Sequence, residues 1–131
     1  ALAANIGELQ KQAEAKQDAP SMEALGLAYL DARQYGLAQL TLGRATELQD
    51  NRASAQNALG IALLYQGEPM QARAAYAKAV ESDPGYDKAH ANLAALHCRY
   101  GDVEGAKKEL SQVKSQALQG SDLDPDWRGC R

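Results

Sequence analysis

The sequence predicts an all-α fold built from three stacked helix–turn–helix pairs, and three observations carry that expectation. The first is a period. "LGLAYLDAR" from Leu25, "LGIALLYQG" from Leu59 and "LAALHCRYG" from Leu93 recur at an interval of 34 residues, and no gap is needed across about a hundred residues. The second is helical spacing inside each unit, with apolar and small residues falling at i, i+3 and i+4. The third is composition. The chain is 45% hydrophobic but only 5% aromatic, with no Phe and much Ala, which suits close helix packing better than a sheet core.

Residues 1–18 read "ALAANIGELQKQAEAKQD", where Leu2, Ile6, Leu9 and Ala13 are spaced as on one helical face. This segment is expected to cap the first pair; a segment that lies in a groove remains the sharper alternative. The repeats are expected at 19–52, 53–86 and 87–120, with helices near 19–32, 35–49, 52–65, 69–82, 86–100 and 102–118. Within each repeat a small residue follows the aligned Leu: Gly26, Gly60 and Ala94. Ala38, Ala72 and Ala106 recur within the second helix, followed by Leu42, Tyr76 and Leu110 and by Ala45, Ala79 and Val113. Small side chains at these places let helices approach, and one pair cannot bury its apolar face alone, so the pairs must stack. Gly67 stops one helix and Pro69 opens the next. Asp102 is an N-cap candidate, and Pro84 cannot continue a helix. The third repeat has Leu118 where the second has Pro84 and the first Asp50, so its last helix is expected to run on.

These units resemble the tetratricopeptide repeat. The second matches best, with Leu59, Gly60, Gly67, Ala72, Tyr76, Ala79, Asp83 and Pro84 at the pattern's positions. The first departs from it at Arg33 and Asp50, and the frequent Trp position holds Met22, Gln56 and His90. The resemblance implies a right-handed α-solenoid whose first helices line a concave, partner-binding side. Carried over residue by residue, the lining is Glu23, Leu27 and Leu30, then Asn57, Ile61, Leu64 and Tyr65, then Lys88, Ala91, Ala95 and Cys98. Leu27, Leu30, Ile61 and Leu64 are apolar beyond the core stripe of Leu25, Tyr29, Leu59 and Leu63. They are therefore expected to form an exposed patch that takes an apolar or amphipathic segment, with Asn57 bonding its backbone; the alternative is that the N-terminal helix or packing between units covers them. Leu27→Asp with Ile61→Asp is expected to abolish capture and leave helicity intact. A basic clamp for a terminal carboxylate, known in chaperone-tail binders of the family, is met only by Lys88 among Glu23, Leu27, Ala58, Lys88 and Asn92.

Other chemistry is weakly indicated. His90, His97 and Cys98 sit on one helix, but both histidines occupy repeat positions that pack, so no metal is expected. His97 and Cys98 are adjacent, point about 100° apart and lack an acid partner, so no nucleophile is expected either. Asp122, Asp124 and Asp126 alternate as in a calcium loop, yet Trp127 stands where the turn Gly is needed. The tail, 121–131, is instead expected to cap a final turn, with Trp127 covering the end of the stack. Cys98 and Cys130 are within reach of one another, because eleven residues separate Leu118 from Cys130. A disulfide and two free thiols both remain open. No cofactor is expected, and no Gly-rich phosphate loop appears. Lys107, Lys108 and Lys114 form a modest basic stripe on a solvated face.

A net charge of −3 provides no basic field for nucleic acid, and no apolar run reaches the roughly 20 residues that span a bilayer. The chain begins at Ala1 with no visible signal peptide, which fits either a processed form or a trimmed one. The expected function is a non-enzymatic scaffold that holds a peptide or helix of another protein. By resemblance, it would act in assembling a bacterial envelope machine (pilus, secretion or motility), with a periplasmic or envelope location favoured over the cytoplasm. A cytosolic adaptor or chaperone for an apolar segment is the alternative, and a metal-binding or hydrolytic protein is a third reading of a different class. Self-association through the stack ends is a further possibility.

Overall fold

The computed structural model describes residues 5–129, and these form seven helices with no strand among them. They are α1 (Ile6–Lys16), α2 (Ala19–Asp31), α3 (Tyr35–Leu48), α4 (Ala53–Tyr65), α5 (Pro69–Ser82), α6 (Asp87–Arg99) and α7 (Val103–Leu110). Helices α2 and α3, α4 and α5, and α6 and α7 pack as antiparallel pairs, and each pair stacks on the next. The all-α solenoid read from the period is the fold of the chain.

Small residues set the pairing distances. A Cβ added at Gly26 would lie 2.4 Å from Leu42 Cγ, and one at Gly60 would lie 2.5 Å from Tyr76 Cε1. Leu42 and Tyr76 are fully buried, so each large side chain occupies the hollow that its glycine leaves. The Tyr76 hydroxyl has no hydrogen-bond partner among the described residues. Burial, with the Asp124 carboxylate as a smaller contribution, raises its pKa far above the usual tyrosine value.

Turn chemistry follows the frame. Asp18 caps α2 by accepting from the Ser21 amide at 2.9 Å, and Asp102 caps α7 by accepting from Gly105 at 2.8 Å. The residues between the helices of each pair, Arg33, Gly67 and Gly101, share a left-handed backbone, with φ of 60°, 81° and 79°. Only Arg33 carries a Cβ there, at a cost of roughly 1–2 kcal/mol. Arg33→Gly is therefore expected to stabilise the protein by about 1 kcal/mol after Gly's extra unfolded-state entropy is counted. Urea unfolding checks this, and a lower midpoint would contradict it.

The position shared by Met22, Gln56 and His90 has a structural use. Gln56 Nε2 donates to Asp50 O, and His90 Nε2 faces Pro84 O at 2.7 Å, six residues back in each case. Each side chain ties down the loop that joins one repeat to the next. His90 Nδ1 also meets Glu109 Oε1 at 2.8 Å, so both nitrogens of this buried ring face acceptors.

α1 packs Ile6, Leu9 and Ala13 against the core, and Gln10 Nε2 donates to the Tyr29 hydroxyl at 2.8 Å. Leu2, predicted on the same face, lies outside the described residues. The last helix departs from expectation: α7 stops at Leu110 and does not run to Leu118. Ser111 Oγ turns back onto Lys108 O at 2.6 Å, and the Asp87 carboxylate captures the amides of Lys114 and Ser115 at 3.1 and 3.0 Å. Those amides can no longer serve a helix, and the chain turns back across the stack.

Candidate functional site

α2, α4 and α6 present one common face, and the returning chain lies on part of it. Asn57 and Asn92, both fully buried, project from α4 and α6 at neighbouring places in the repeat frame. Their side-chain amides donate to Asp122 O at 2.9 and 3.1 Å, and Asn92 Nδ2 also donates to Asn57 Oδ1 at 2.7 Å. Asn92 Oδ1 accepts from the Asp124 amide at 2.7 Å. Two asparagines thus hold the backbone on both sides of Leu123.

Charged side chains flank this clamp. Lys88 Nζ pairs with Asp122 Oδ1 at 2.7 Å, and Arg99 Nη2 pairs with Asp124 Oδ2 at 2.8 Å. Asp124 is 1% exposed at its side chain and also accepts from the Asp126 amide at 3.0 Å. Hydrogen bonding to Asp124 raises the Arg99 pKa above its usual value, against the opposing effect of burial. Between the two ion pairs, Leu123 and Trp127 pack on Ala91 and Ala95 of α6, with Leu110, Val113 and Leu118 at the border. The small residues of α6 make room for the tail's large ones. Trp127 thus covers the inner face of the last pair, where an end cover was expected.

Beyond Leu123 and Pro125 the face stays open. A cleft of about 450 Å3 is lined by Leu30, Asp31, Arg33, Tyr35 and Tyr65 together with those tail residues. Tyr35 and Tyr65 stack with centroids 4.7 Å apart and planes at 20°, and Tyr65 is 45% exposed.

The predicted lining residues separate by role. Asn57, Lys88, Ala91 and Ala95 meet the tail, while Tyr65 and Leu30 border the open cleft. Glu23 is engaged between repeats: Arg52 Nε and Ser54 Oγ both donate to it at 2.9 Å. The apolar residues do not form the exposed patch expected of them. Ile61 is 0% and Leu30 2% exposed, and Leu27 and Leu64 pack against the same core. Stacking of neighbouring pairs buries what one helix wheel leaves outside. Ile61→Asp would place a carboxylate in the core, so that substitution reports on stability rather than on the groove.

Asn92 and Arg99 were absent from the predicted lining. Arg99 stands 34 residues after Tyr65 and Asn92 stands beside Ala91, so the frame itself held the signal for both. Cys98 is half-buried on α6; its proposed mate, Cys130, lies outside the described residues. No group of three or more His, Cys, Asp or Glu able to hold a metal occurs among the described residues. His97 Nδ1 faces the Asp102 carboxylate at 3.1 Å, and the tail aspartates face cations and amides. No helix among the described residues is long and apolar enough to cross a membrane.

Two tetratricopeptide repeat models match the chain, over residues 63–128 and 23–86. Among solved structures, MamA aligns at 26% identity and a TM-score of 0.74, covering 82% of this chain and 63% of that one. YrrB, described as a TPR protein with an unusual peptide-binding site, aligns at 26% identity and a TM-score of 0.70, covering 82% and 56%. A second MamA structure, at 21% identity and a TM-score of 0.70, shares the fold and covers 85% and 64%. The chain therefore spans less than two thirds of the length of each. No curated protein matches significantly. With repeat models that together run from residue 23 to residue 128, the chain belongs to the tetratricopeptide repeat family, whose stacked helices serve as a non-enzymatic scaffold for protein or peptide partners.

Proposed function

We propose that this chain grips an extended segment of a partner protein on the face formed by α2, α4 and α6. One observation carries the reading: that face already holds an extended piece of polypeptide by its backbone, through Asn57 and Asn92 at Asp122 O and Asn92 at the Asp124 amide. Bonds to main-chain groups do not depend on the bound sequence, whereas the flanking charges and apolar recesses select it. The open cleft at Tyr35 and Tyr65 provides further binding surface, since exposed aromatic residues add large contact area at low entropic cost. The likeness to YrrB supports a peptide-binding role in the same fold.

We further propose that the scaffold acts in assembling an envelope machine, and that Cys98 and Cys130 form a disulfide there, securing the tail. Support comes from the place of Cys98 on α6, next in sequence to the Arg99 that holds Asp124; such a bond would in turn favour an oxidising compartment. Mass spectrometry of the protein purified from its own cells decides this part. A linked Cys98–Cys130 peptide is expected, and reduced thiols would favour the cytosolic adaptor.

Site-specific photo-crosslinking tests the binding face. A benzophenone side chain in place of Tyr65 is expected to capture the partner, and one in place of Met70, exposed on α5, is expected to capture none. Crosslinks from position 70 alone would reject the groove.

A further inference from the structure

We infer that the groove selects an acidic–apolar–acidic segment, and that residues 122–127 are an internal copy of it which a partner must displace. The inference rests on the groove reading above and adds the chemistry of the partner. "DLDPDW" is read at Asp122, Leu123, Asp124 and Trp127. Lys88 takes the first carboxylate, at 2.7 Å, and Arg99 takes the second through two nitrogens, at 2.8 and 3.3 Å. Leu123, between them, lies on the Ala91–Ala95 surface. The asparagine clamp spans this one residue and so fixes the register: with Asp122 O and the Asp124 amide both held, the side chain between can only be the one on the apolar surface.

Once Cys98 and Cys130 are reduced, the occupant is built to leave. Between Ser111 and Gly120 the chain has no helix, and most of those residues are exposed. Pro125 and Asp126 within the bound stretch also face solvent. Tethering gives the tail an effective concentration near the millimolar range, so it outcompetes weak ligands and yields to a partner that also fills the open cleft. The charges set the sign. A basic segment would meet Lys88 and Arg99 and would be repelled. An uncharged one would leave both cations without the partners they now have.

The test uses the full chain under reducing conditions, so that no cysteine link holds the tail. The probe is a fluorescein-labelled peptide with the sequence of residues 120–129, GSDLDPDWRG. The double variant Asp122→Ala, Leu123→Ser, which dislodges the tail, is expected to bind it at least tenfold more tightly than the unaltered chain does. The same peptide with its three Asp replaced by Asn is expected to bind at least tenfold more weakly. A variant of native helicity that binds neither peptide, or binds both equally, overturns the inference.

A second measurement needs no altered protein. Trp127 is the chain's single tryptophan, and it is buried on the groove. Millimolar GSDLDPDFRG, which carries no tryptophan, is expected to shift its emission to the red as the tail is displaced, and the Asn peptide is expected not to. An unmoved spectrum with both peptides also overturns the inference. If partner crosslinks still form from position 65 while both peptide experiments fail, the groove stands and only the acidic preference falls.

Discussion

Asn92→Ala is expected to lower stability by about 2–4 kcal/mol, whether the tail stays in place or leaves. The side chain is fully buried and makes three hydrogen bonds, donating to Asp122 O and Asn57 Oδ1 and accepting from the Asp124 amide. A typical internal hydrogen bond contributes about 0.5–1.5 kcal/mol net, and a buried polar group left without a partner costs about 1–3 kcal/mol. If the tail stays in place, Asn57 Oδ1 and the Asp124 amide are left unbonded beside a new void. If it leaves, they regain water, but Leu123 and Trp127 lose their burial on Ala91 and Ala95. Both routes are unfavourable. Urea unfolding measures the loss, and Trp127 emission reports which route is taken. An unchanged midpoint with unshifted emission would show that the asparagine clamp does not hold the tail.

Gly60→Val is expected to cost about 3 kcal/mol, at the upper end for overpacking. The first added carbon alone would sit 2.5 and 2.6 Å from the Tyr76 ring and 3.2 Å from Ala72 O. Tyr76 is fully buried, and its ring is not the loose end of a flexible chain. The α4–α5 pair must therefore open, and because the neighbouring pairs stack on it the strain spreads along the array. Gly43→Val is the matched control, since nothing lies within 4 Å of a Cβ at that helical glycine. Thermal melts of the two variants separate close packing from a general effect of valine in a helix. Equal losses would remove the account of pairing given above.

The repeat, the six paired helices and their turns were legible because the signals are local and are written three times. A 34-residue period, small residues opposite large ones and Gly or Pro between helices each restrict the backbone within a few residues. Two further points were legible in part. Asn57 was expected to bond a backbone, and the backbone it meets is the chain's own, at Asp122. Trp127 was expected to cover part of the stack, and it covers the inside of the last pair. The exposure expected for Leu30 and Ile61 was not legible, because a helix wheel carries no information on how closely the next pair approaches.

The sequence by itself determined that helices form, where each pair begins and that the pairs stack in series, since propensity, capping and periodic small residues act over one or two turns. Tertiary structure alone decided what the inner face meets. α7 ends at Leu110 because Asp87, more than twenty residues upstream, takes the amides of Lys114 and Ser115. The tail lies across α4 and α6 because Lys88, Asn92 and Arg99 hold groups that are 25 to 34 residues away. Such bonds join repeat helices to a tail that is not itself a helix, so helical spacing along the chain does not announce the partner. They form only after stacking has brought the asparagines of two adjacent pairs side by side.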